Sequence, residues 1–189
     1  MRIDKDKINA VYKQLVEEGT IKENDPKVHT RIGLMFSKAQ NNLKMARIAF
    51  DISNNVEIKE YLKLKDNDSF YDWVIQASYY SMFHAVNALL ATKRIKISRI
   101  NVHKSTLYAF GKHFINTNEL ADDLFIIYGE AEEKAQELFS SLAEEKQKRS
   151  FAAYERLPKM NIDPAKDSMS NAQEFTKIIG DILTKNHFL

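Results

Sequence analysis

The 189-residue chain contains no cysteine, five glycines and three prolines. Without cysteine there is no disulfide framework, no thiolate zinc site and no cysteine nucleophile, and the chain suits a reducing compartment. So few turn residues argue against a β-sandwich or barrel, which needs a turn signal every eight to twelve residues, and favour a few long helices. No window approaches the ~18 uninterrupted apolar residues of a membrane span, and the opening MRIDKDKINA has no signal-peptide core. A cytoplasmic protein with no membrane contact is therefore expected.

Hydrophobic residues make up 44% and charged residues 29%, a globular balance, and the net charge is +2. That charge is too small to imply nucleic acid by itself, but its distribution is uneven. Between Asp72 and Glu119 there is no Asp or Glu, whereas Lys93, Arg94, Lys96, Arg99, Lys104, Lys112, His84, His103 and His113 all fall there. From Glu119 to Arg149 the balance reverses, with nine acids against four Lys/Arg. One end of the domain should carry positive potential that suits phosphate. The competing reading is a set of solvated side chains complementing a helix C-terminus.

Apolar periodicity predicts an all-α fold. Ile8, Val11 and Leu15 mark a short helix that stops at Gly19. Asp25-Pro26 opens a second helix, on which Val28, Ile32, Met35, Ala39, Leu43, Ala46 and Phe50 form one continuous stripe. Residues 54–68 read as a connection with one short helix. Ser69-x-x-Asp72 then reads as the start of a helix reaching Thr92, apolar nearly all round and hence central to a bundle. A helix follows near His103–Ile115. A long one starts near Leu120, runs past residue 143 and is ended by Pro158, and a last one starts at a Ser170-x-x-Gln173 capping box. No strand is predicted. The expected architecture is an antiparallel bundle of four to five main helices (28–189) preceded by a short N-terminal helical extension (1–27).

Chemistry-bearing patterns are sparse. No P-loop, GxGxxG, GxSxG or HExxH pattern occurs, so neither a metal nor a cofactor is expected. His84 is expected to be a hydrogen-bonded core residue, His103 to lie at a helix start and His113 to be the accessible one. Arg149 falls seven residues beyond Leu142 on the apolar stripe of the long helix. A guanidinium there either outruns the core or points into a cleft toward an anion.

The segments FSKAQNNLKMARIAF, SYYSMFHAVNALL, HKSTLYAFGKHFINTNEL, KRSFAAYE and NAQEFTKIIGDIL occur in an order that resembles the HEPN family, particularly its small stand-alone prokaryotic members. The resemblance spans roughly residues 31–186 and implies a dimerising helical bundle that takes RNA or nucleotide. In many members this is a metal-independent, toxin-like ribonuclease; in others it is a non-catalytic partner of a minimal nucleotidyltransferase in a toxin–antitoxin pair. The family's catalytic pattern is Arg, four to six residues, then His. Here Arg149 is followed after four residues by Tyr154, so the Arg matches and the His does not. Arg149 suits phosphate stabilisation, whereas Tyr154, with an ordinary pKa of about 10, is a weak base near neutrality. The resemblance marks Arg149 and Tyr154 as the catalytic pair. The basic stretch marks Lys93, Arg94, Lys96, Arg99, His103, Lys104 and His113 for the nucleotide or RNA.

Overall fold

A computed structural model describes residues 3–147 and 162–189, with side chains described to residue 137 and again from residue 162. It is an all-α fold. Helix α1 (Lys5–Glu17) is capped by Asp4, whose carboxylate accepts the Lys7 N–H at 2.9 Å. It ends in a Schellman turn: Gly19, at φ +71°, donates to Val16 O, and Thr20 donates to Leu15 O. A two-residue strand β1 (Ile21–Lys22) leads to α2 (Pro26–His29), which Asp25 caps through the Lys27 N–H. Next come α3 (Ile32–Asn54), α4 (Val56–Tyr61) and the central α5 (Tyr71–Thr92).

Beyond α5, strand β2 (Lys96–Ile97) pairs antiparallel with β1, Ile21 opposite Ile97. Helix α6 (Val102–Phe110) widens into a π-helical turn (Gly111–Ile115), followed by α7 (Asp122–Gln147) and α8 (Ile162–Lys185).

The core forms around α5, which is buried on nearly every side as its composition predicts. Helices α3, α7 and α8 pack around it. Ser81 on α5 donates to Ala39 O on α3 at 2.9 Å and meets Thr176 Oγ1 on α8 at 2.9 Å. Three helices thus share one buried polar contact, which fixes their mutual register. Phe110, Tyr128 and Phe175 fill the centre of the bundle, with ring centroids 5.9–6.1 Å apart. Tyr12 and Leu15 of α1 belong to the same core cluster.

Several local expectations are corrected. The Asp25-Pro26 helix breaks after His29 and restarts at Ile32. Ser69 does not cap α5: Phe70 occupies the N-cap position, with no side-chain cap. Helix α8 starts at Ile162, with Pro164 in its first turn where its missing N–H costs nothing, so Ser170 and Gln173 lie mid-helix. The β1–β2 pair was not expected from the sequence.

Candidate functional site

The predicted basic residues run from the end of α5 through the connection into α6, which starts beside the middle of α5: His103 meets Tyr79 and Phe83, whereas Lys93 meets Phe114 in the π-helical turn. Helix α5 closes in a Schellman turn in which Arg94 donates to Ala91 O and Ile95 to Leu90 O. Arg94 therefore holds φ +57°, a conformation that glycine adopts without strain. Its carbonyl accepts the Asp25 N–H at 3.0 Å, tying this turn to the start of α2.

The charges of the stretch are not equally free. Lys93 Nζ lies 3.0 Å from Glu119 and 5.6 Å from the Phe114 ring centroid. Lys96 Nζ lies 3.2 Å from Asp25. The Asp25 carboxyl is held below its usual range first by the Lys27 N–H and then, beyond its own desolvation, by Lys96. Arg94, Arg99 and Lys104 are exposed and form no ion pair among the described residues. Of the predicted cationic set, these three remain available to an anion. Lys112 is used structurally, donating to Asn9 Oδ1 at 2.8 Å.

The histidines divide similarly. His113 is not freely accessible: its Nε2 lies 2.8 Å from Tyr12 Oη, and that hydroxyl donates to Glu23 at 2.6 Å. This chain joins α1, the β1 turn and the π-helical turn, and it is structural. Burial lowers the His113 pKa. His84 makes no hydrogen bond among the described residues. It packs its ring against Phe83 at 5.2 Å and Tyr80 at 6.4 Å. Desolvation, with Lys38 nearby, pushes it down to about 4.

His103 is different. Its half-buried ring lies 5.1 Å from Phe83 and 6.2 Å from Tyr80, and its Nδ1 is hydrogen-bonded to the Tyr79 hydroxyl. Burial lowers the His103 pKa, and burial first of all raises that of Tyr79 far above its ordinary value, so both are neutral at pH 7. The hydrogen-bond assignment that satisfies both has the Tyr79 phenol donating to Nδ1, which leaves the imidazole proton on Nε2. Held this way, His103 is an N–H donor, not a base.

Tyr80, His84 and His103 form a half-exposed ring cluster over Phe83, flanked by Lys38 on one side and the start of α6 on the other. No sequence pattern singled out Tyr79, Tyr80 or Lys38. The four-residue spacing of Tyr80 and His84 was the cluster's one local signal. Arg149 and Tyr154 lie outside the described residues. Among the described residues no group of His, Asp and Glu could hold a metal ion, and no helix is long and apolar enough to cross a membrane.

A protein-family model, the HEPN domain, matches residues 57–182, well over half of the chain. A curated protein of Methanocaldococcus jannaschii, "Putative toxin MJ0142", is 46% identical over 65 residues, or 34% of this chain and 42% of that protein. The chain thus aligns with less than half of that relative's length. No solved structure matches.

Proposed function

The chain belongs to the HEPN domain family, and from that premise we propose that it is a toxin-like protein that binds RNA through phosphate and base contacts. The observation that carries this reading is the ring cluster of Tyr80, His84 and His103, with Lys104 next to His103 in the chain and Arg99 and Arg94 along the connection that leads to it, all three cations without an ion pair among the described residues. Single-stranded nucleic acid is held by this combination: rings that stack on bases and cations that follow the backbone. His103 adds a neutral Nε2–H donor for a phosphate oxygen, fixed in orientation by Tyr79.

Cleavage, in this reading, is carried out at Arg149. The ribose 2′-hydroxyl, losing its proton to water, attacks phosphorus; the 5′-oxygen leaves and takes up a proton from water, and a 2′,3′-cyclic phosphate forms; Arg149 stabilises the extra negative charge on the phosphorane. Tyr154 contacts the substrate and does not serve as the base, since an ordinary phenol keeps its proton at neutral pH. The test is incubation of clean full-length protein with mixed-sequence RNA in excess EDTA. Cyclic-phosphate ends that vanish in Arg149→Ala support the reading. Intact RNA with wild-type protein, alone and with a co-expressed nucleotidyltransferase, sinks the catalytic part.

A second reading, a non-catalytic homodimer that partners a nucleotidyltransferase, is favoured by an apolar groove of about 500 Å³ along α3 and α4. Ile48, Ile52, Ile58, Tyr61 and Leu62 line it, and Tyr61 is 86% exposed. Sedimentation of wild-type protein against Tyr61→Glu tests whether this face associates.

A further inference from the structure

A second groove lies between the start of α1, helix α6 and the middle of α7, with a volume of about 570 Å³. That is the size of a small-ligand site. Ile3, Ile8, Leu107 and Phe125 give it apolar walls. Among the described residues its charges are one-sided: Asp4, Glu130, Glu132 and Glu133 line it, against the cation Lys7.

Acidic side chains on a helix surface carry little information by themselves. Glu132 is not such a side chain. It is 7% exposed, its Oε1 accepts the Gln136 amide at 3.0 Å, and its Oε2 is buried with no hydrogen-bond partner among the described residues. Gln136 is itself exposed and also lines the groove. A buried carboxylate oxygen with nothing bonded to it costs free energy unless something outside the chain partners it. The adjacent Tyr128 hydroxyl is also buried, faces Tyr79 and cannot act as a counter-charge. Lys7 is exposed and forms no ion pair with Glu132 among the described residues.

We propose that this groove binds a small aliphatic ammonium ligand, a diamine or polyamine, with one ammonium head against Glu132 and its chain along Ile8, Leu107 and Phe125. The head supplies the N–H donor that Glu132 Oε2 lacks, and Gln136 swings aside for it, the ammonium replacing the hydrogen bond from the neutral amide with a stronger one between two charged groups. A hard divalent metal would demand six or more oxygen ligands, and no such cluster forms among the described residues. An ammonium needs one buried acceptor and apolar walls, and it finds both here.

Gly129 supplies the control. It lines the groove, and a Cβ built on it meets nothing within 4 Å among the described residues, so a larger side chain there extends into the groove and leaves the Glu132 carboxyl chemically unchanged. Calorimetric titration of the full chain with 1,4-diaminobutane and with spermidine, at fixed ionic strength, is the direct experiment. Saturable one-to-one binding is expected, weakened about tenfold or more in Glu132→Gln, as for loss of a charge-assisted hydrogen bond, and likewise in Gly129→Leu. Desolvation, with Glu133 adding to it, pushes Glu132 up to about 7. The other titratable groups around it are Tyr79 on α5, Tyr108 on α6, Tyr128 and Glu130 on α7, and Asp4 and Lys7 on α1. Binding at pH 7 should therefore release a fraction of a proton to the buffer in the wild type and none in Glu132→Gln. No saturable binding, or equal affinity in the wild type and both folded variants, overturns the proposal. If Glu132→Gln does not fold, Gly129→Leu decides alone.

Discussion

Replacing Glu132 with Gln removes one titration from the folded state, and the structure gives the sign of the effect. Burial first, then Glu133, raises the folded Glu132 from an ordinary 4.5 to about 7. Between those values the folded chain holds a proton that the unfolded chain has released. The stability linked to this group is thus fully present below pH 4.5 and lost as pH rises through about 7. A shift of this size corresponds to about 3 kcal/mol at full strength, and solvent screening reduces it to about 2 kcal/mol. His84 runs the other way. Its folded value of about 4 lies below the ordinary 6.5, so its contribution is present above 6.5 and lost on acidification. In the wild type the two slopes oppose one another between roughly pH 4.5 and 6.5. Urea unfolding followed by circular dichroism at pH 5, 6, 7 and 8 separates them. Wild-type stability minus Glu132→Gln stability should fall by about 2 kcal/mol from pH 5 to pH 8. In the variant, the histidine slope should emerge as acid sensitivity. A difference that stays constant across this range would refute the burial argument for Glu132.

Other substitutions test the packing and the site. Arg94→Gly relieves the left-handed turn at φ +57° and should raise stability by about 1 kcal/mol while weakening RNA binding, read by thermal melts and a filter assay. Gly111→Ala places a Cβ 2.8 Å from the Phe125 ring and 3.1 Å from Ile8, and should cost about 1–3 kcal/mol. By the same urea assay Gly129→Ala, with open space around its Cβ, should gain about 0.5–1 kcal/mol. Tyr79→Phe removes the donor to His103 Nδ1, and nitrogen chemical shifts of the imidazole should then show the Nε2–H form depleted.

The fold was legible wherever burial followed helical spacing. The stripe from Val28 to Phe50 and the apolar composition of Phe70–Thr92 both mark segments that pack against one another in the core. Short or irregular elements were not legible. Two-residue strands are too brief to show alternation, and the close approach of Ile8 and Phe125 to Gly111 in the π-helical turn arises only when α1 and α7 pack there. The Ser170-x-x-Gln173 pattern misled because a capping box signals a start only where the preceding chain is not helical, and Pro164 opens α8 earlier. The acid-free stretch is visible as a run of residues, but its cations could not be ranked from sequence. Asp25 neutralises Lys96 from far upstream, and Glu119 reaches Lys93 from beyond the stretch. The Tyr79–His103 pair spans 24 residues and two helices, so it exists only in the folded chain.

The claim that Arg94, Arg99 and Lys104 form the phosphate-binding rim is tested most directly by salt dependence. Fluorescence anisotropy of a labelled single-stranded RNA, titrated with the full chain across a range of salt concentrations, gives the slope of log affinity against log salt. With about 0.7 of slope per phosphate contact, changing all three residues to Ala should reduce its magnitude by about 2. The same change at Lys93 and Lys96, already paired with Glu119 and Asp25, should leave the slope nearly unchanged. An undiminished slope in the triple variant, or no RNA binding by the wild type even at low salt, would contradict the account.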